Sequence, residues 1–184
     1  MREKRIFSLL TAALIAGAAL AAPLLAQSGG ERFTATVANP VGGGTSPVMI
    51  YIDHYSTDTE VQKLAGILRD KGPDALRDAL WDLEAGYIRI GGGLGYPIAV
   101  ARSKPSDKGR VIRLMMDRPI SFRESVSGSR SRDYPFGYIE INLDNAGKGE
   151  GQFFAAAQVT MTAGTVDIES YSPQPLRLLA VQKR

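Results

Sequence analysis

From Tyr87 onwards the chain is a succession of short runs alternating apolar and polar residues, joined by connections of hairpin length. That pattern admits little besides a mostly antiparallel sheet. The longest run is the clearest: Phe153, Ala155, Ala157, Val159 and Met161 alternate with Gln152, Gln158, Thr160 and Thr162. Strands are expected over 87–90, 98–102, 110–117, 136–143, 152–162, 165–171 and 176–181. Two more precede them, at 31–38, with Phe33, Ala35 and Val37 opposite Arg32, Thr34 and Thr36, and at 48–55. A strongly twisted sheet of seven to nine strands tends to curl, split or close. The expected fold is therefore α+β, a large curved antiparallel sheet or partial barrel.

One helical region interrupts the strands. Thr57 followed by Glu60 is a capping-box pattern, and Val61, Leu64, Ala65 and Leu68 repeat at helical spacing. Gly72 is placed to end that helix and Pro73 to begin another, whose stripe is Leu76, Ala79, Leu80 and Leu83 with Trp81 beside it. This reads as a two-helix hairpin over about 58–84, inserted after the second strand and packed over the sheet's apolar face or open end.

The first twenty-six residues carry the features of an export signal. A charged start, Met1 to Arg5, precedes an uncharged apolar run from Ile6, and cleavage is expected after Ala21 or Ala26, the competing reading being an uncleaved membrane anchor over Ile6 to Ala26. Residues 27–184 then form one domain, with no later stretch apolar enough to span a membrane and a destination in the periplasm or outside the cell. Removing Arg2, Lys4, Arg5 and Glu3 from the 22 basic and 19 acidic residues leaves 19 and 18, a balance that gives no nucleic-acid footprint. With no cysteine, packing alone must hold an exported domain together, and thiol chemistry is excluded.

Motifs that carry chemistry are sparse. Gly91 to Gly95 follows a strand, but the third glycine of a dinucleotide fingerprint falls on Tyr96 and a strand follows, so a wide turn is expected and no cofactor. Asp144 to Glu150 places Ala146 and Lys148 where a calcium loop needs oxygen ligands, so a hairpin turn is expected and no metal. His54 is the sole histidine; alternation puts it on the face of Val48, Ile50 and Ile52, with Asp53 beside it, a weak acid–base candidate. Asp82 and Glu84, read as helical, would face different sides. Positive charge gathers around one turn (Arg102, Lys104, Lys108, Arg110, Arg113) and in a Ser-rich loop with Arg123, Arg130 and Arg132 followed by Tyr134. Arginines on a long loop suit anion capture, which makes Arg123, Arg130, Arg132 and Tyr134 the candidate ligand-binding set.

Several segments are familiar together: Tyr87-Ile88-Arg89, Asp117 to Phe122, Tyr134-Pro135-Phe136, Gly147 to Gly151 and Tyr171 to Leu178. They resemble a group of exported bacterial proteins with no assigned function. The resemblance implies export and a single domain, and it implies no substrate or catalytic residue.

The expected function is a non-enzymatic binding or structural module of the cell envelope that holds a small apolar or anionic ligand. The small residues Ala155-Ala156-Ala157 would leave room for it beside Phe153 and Phe154. The alternative is a metal-independent hydrolase or isomerase centred on His54. A third reading is an assembly protein that pairs a sheet edge with an envelope partner.

Overall fold

Strand β1 (Glu31–Ala38) puts the alternation to use: Phe33, Ala35 and Val37 are buried, and Arg32 between them is exposed. A computed structural model describes residues 30–39, 43–120, 133–162, 164–172 and 174–184. Residues 1–26, which carry the expected export signal, and the arginines Arg123, Arg130 and Arg132 lie outside the described residues. After β1 come β2 (Thr45–Ile52), the helix α1 (Asp58–Leu80), β3 (Gly86–Ile90), β4 (Tyr96–Ile98), β5 (Val100–Ser106) and β6 (Gly109–Met116). Strands β7 (Phe136–Asp144), β8 (Lys148–Thr162), β9 (Thr165–Ser170) and β10 (Leu176–Lys183) complete the order.

All pairings are antiparallel. The sheet runs β4-β3-β2-β1-β10-β8-β7-β6-β5, with β9 off this path, paired to β8. Its two end strands, β4 and β5, are consecutive in the chain on either side of Ala99. Ala85 N–H donates to Ile98 O (2.7 Å) and Ala99 N–H to Met115 O (2.9 Å), so this one bent segment joins β3 on one side to β6 on the other. The sheet thereby curls into a nearly closed barrel in which successive strands are mostly neighbours, as in up-and-down barrels.

Two layers of apolar residues follow from the two faces of this sheet. The inner layer holds Phe33, Ile50, Ile88, Ile112, Leu114, Ile139 and Phe153, each 1 % exposed or less. The outer layer lies over β5 to β8, with Ile168 of β9 packed against it: Val100, Met115, Phe136, Tyr138, Phe154 and Val159 pack against Leu64, Leu68, Leu76 and Leu80 of α1, each leucine buried. Each of those leucines contributes on the order of 2 kcal/mol by leaving water.

The helix corrects one expectation. The capping box is present, with Thr57 accepting from Glu60 N–H and the Glu60 carboxylate accepting from Thr57 N–H (2.6 Å). The two-helix hairpin is not: α1 is one helix, kinked at Gly72, where φ is 83° and ψ −177°. A hairpin needs a loop of a few residues to reverse the chain, and here a single residue leaves helical angles. Leucines on both sides of the kink serve one core. The helix ends at Leu80, so Asp82 and Glu84 are not helical.

A bulge corrects another. Phe136 pairs with Ala157 but Tyr138 pairs with Phe154, so β8 carries an extra residue there. Phe153 and Ala155 therefore face the barrel, while Ala157, Val159 and Met161 face the helix. A bulge of this kind redirects side chains within one strand. Neighbouring backbone pairs with the run of alanines: Ile120 N–H donates to Ala155 O (2.8 Å) and Tyr171 N–H to Ala156 O (2.9 Å).

Candidate functional site

The barrel interior is lined by large, fully buried apolar side chains. Polar groups at its mouth bind one another. Glu31, buried at the start of β1, accepts from Arg110 through both carboxylate oxygens (2.9 and 3.0 Å), from Lys183 and from Tyr55 Oη. Burial opposes the charge on Glu31, but the hydrogen bonds from Arg110, Lys183 and Tyr55 outweigh it and hold its pKa below the ordinary carboxylate range. Burial and the bond to Glu31 push the Tyr55 hydroxyl well above its ordinary value. Among the described residues, no buried side-chain nitrogen or oxygen lacks a partner.

The predicted site residues separate. His54 was expected on the inner face, but β2 ends at Ile52 and the chain turns outward: Asp53 N–H (2.8 Å) and His54 N–H (3.4 Å) both donate to Ala85 O. Both side chains are exposed, and His54 lies close enough to Glu60 to act on its carboxylate. Tyr134 stands beside β9, donating to Glu169 Oε1 (3.1 Å) and meeting Tyr171 edge-on at 5.3 Å. That hydrogen bond raises its pKa. The basic turn is neutralised piecewise: Arg102 pairs with Asp58, Arg110 with Glu31, and Arg113 with Glu140 (2.8 Å). Asp144 Oδ1 accepts from Ala146 N–H (2.9 Å) and Lys148 N–H (2.8 Å), closing a hairpin turn. No group of three or more histidine or acidic side chains among the described residues is placed to hold a metal. No described helix is long and apolar enough to cross a membrane.

What the fold does bring together lies on the outside of β1 to β4, the half that α1 leaves bare. Register places Arg32, Tyr51, Tyr87 and Pro97 opposite one another across four strands. Tyr51 and Tyr87 stack at 4.4 Å, with Arg32 5.5 Å from the Tyr51 ring and Arg89 5.8 Å from the Tyr87 ring. Neither arginine is paired with a described carboxylate. Gly86 makes this approach possible. Its φ is 152°, and a Cβ there would lie 2.0 Å from Tyr51 O, so only glycine lets β3 start against β2.

Beside this row the exit of α1 completes a cleft of about 650 Å³. Trp81, Asp82 and Glu84 line it together with Tyr87, Arg89 and Pro97. Trp81 is 65 % exposed although it is the protein's only tryptophan. Its indole is steadied by Arg118, whose guanidinium lies 4.9 Å from the ring and is itself held by the buried Asp117 (3.0 and 3.1 Å). A second, smaller cleft of about 470 Å³ sits where the α1 kink meets Asp133 and Gln158. Its one cation, Arg77, already lies 3.5 Å from both Asp74 and Asp78.

Sequence reasoning missed the larger cleft because it placed Asp82 and Glu84 in a helix. The signal that was available is the pair Tyr87 and Arg89, which alternation turns to one face of β3. Comparison with protein-family models, curated proteins and solved structures finds no match for the chain.

Proposed function

We propose that this domain is a non-enzymatic binding module of the cell envelope, exported to the periplasm or beyond, which holds its ligand in the outer cleft between Trp81 and Arg89. One observation carries the reading: the only tryptophan is left 65 % exposed at a cleft that also presents Tyr87 and Arg89. Exposed aromatic groups beside a cation without a carboxylate partner are costly to leave bare and are enriched at binding surfaces. Two features support binding over catalysis: the buried ionisable groups Glu31 and Asp117 pair with arginines, and His54 is exposed outside the barrel. Export is the expectation from residues 1–26 and from the resemblance to exported bacterial proteins.

The test is native mass spectrometry of the protein recovered from an exported fraction without denaturant, beside Trp81→Ala. A bound mass on the parent protein that the variant lacks is expected. A parent protein and variant that carry the same masses would overturn the assignment of the cleft.

A further inference from the structure

We infer that the cleft recognises an uncharged polysaccharide chain, laid across the strands from Trp81 over Tyr87 towards Arg32. The inference rests on the cleft being the binding site and names what the cleft takes. Its first support is the mixture of charge. Asp82 and Glu84 face the same space as Arg89, so a polyanion meets two carboxylates and a polycation meets a guanidinium. Like charges brought together in this way disfavour either partner. A sugar hydroxyl both donates and accepts, so a run of hydroxyls satisfies the arginine and the carboxylates at once. Each such charge-assisted hydrogen bond is stronger than a neutral one.

Aromatic geometry is the second support. The face of an aromatic ring is electrically negative and attracts the partly positive C–H bonds of a flat apolar surface. A pyranose ring has such a surface, and the exposed indole of Trp81 is available to it, steadied by Arg118.

Shape is the third. The cleft is open to solvent and continues into the in-register row Tyr87, Tyr51 and Arg32 on strands β3, β2 and β1. Neighbouring strands lie about 4.8 Å apart, so this row runs roughly 10 Å beyond the cleft wall. A compact zwitterion would match the charges but would leave the row unused. A linear chain uses both.

The single tryptophan makes the test direct, because all indole emission reports the cleft. Trp81 fluorescence would be titrated with uncharged hexasaccharides of glucose and of N-acetylglucosamine in β-1,4, β-1,3 and α-1,4 linkage. Poly-glutamate and poly-lysine serve as comparators. A saturating emission shift with at least one uncharged chain is expected, little changed by molar salt. It should weaken about tenfold in Glu84→Gln and in Arg89→Ala, the loss of one hydrogen bond to a charged group. Both side chains are exposed, so the variants keep the parent circular dichroism and melting temperature. A shift with poly-glutamate or poly-lysine alone overturns the sugar inference and leaves the cleft as a binding site. Silence with every probe overturns the sugar inference, and the bound-mass comparison with Trp81→Ala then decides the cleft separately.

Discussion

The outer faces of β5–β8 and of β1–β4 belong to one sheet, yet they are finished in opposite ways. The first carries Val100, Met115, Phe136, Tyr138 and Phe154 and is covered by four leucines of α1. The second carries Arg32, Tyr51, Tyr87 and Arg89 and has no second layer among the described residues. A sheet face needs a cover only where its outward residues are apolar. The covered half holds by apolar contact. The bare half holds by stacking, and its strands are tied at the barrel mouth by the charges around Glu31. The residues that stability does not require to be hidden are then free for recognition.

The sharpest way to break the comparison is Gly86→Ala. The added Cβ meets Tyr51 O at 2.0 Å, so β3 must leave β2 or unfold with it. A loss of roughly 3 kcal/mol or more is expected, read as a fall in thermal midpoint together with loss of the Tyr51–Tyr87 stack in near-ultraviolet circular dichroism. Next in size, Leu80→Ala in the covered half should cost about 3 kcal/mol, since Leu80 is fully buried. Tyr87→Ala in the bare half should cost about 1 kcal/mol. Equal losses in urea unfolding would erase the distinction between the halves.

A third prediction uses pH. The carboxyl of Glu31 titrates lower when folded, so its stabilisation is complete above the ordinary carboxylate pKa and drains away as pH falls through the lower folded value. The Tyr55 hydroxyl titrates higher when folded, so its contribution is intact below about pH 10 and is lost as pH rises. Glu31→Gln should cost about 2 kcal/mol at neutral pH and flatten the acid limb of a stability-against-pH curve. Leu80→Ala should leave the slope of both limbs unchanged. An effect of opposite sign is expected at Ala180, whose φ of 49° is left-handed. Ala180→Gly should raise stability by about 1 kcal/mol, seen as a small rise in the unfolding midpoint.

Local patterns were the legible part of the sequence. Strand β1 and the Thr57–Glu60 cap depend on residues within a turn or two of one another, and both stand where alternation and spacing put them. The rest depends on distant partners. Nothing near Ala156 announces the bulge that turns Ala157 towards α1, because the run of alanines fits either register. Barrel closure through Ala99 depends on Ala85 and Met115, each about fifteen residues away in the chain. Gly72 and Pro73 read as the end of one helix and the start of another; Gly72 does leave helical angles, but the chain continues as one kinked helix whose leucines on both sides join one core. The cleft joins the exit of α1 to β3 and β4, so it appears only once Leu80 is known to be the last helical residue. Tyr134, a sequence candidate, is bonded to Glu169 of β9 and does not line the cleft.

The seam between β1 and β10 has a use in engineering. Arg184 N–H donates to Arg32 O (2.8 Å), and Lys183 reaches Glu31, so the two ends of the described chain lie side by side. A short linker from residue 184 to residue 30 would turn that seam into an ordinary hairpin. New termini can then be opened at the exposed Asp107-Lys108 turn between β5 and β6, on strands that do not line the cleft. A circular permutant of this kind keeps every strand neighbour while releasing the β1–β10 pole from both chain ends.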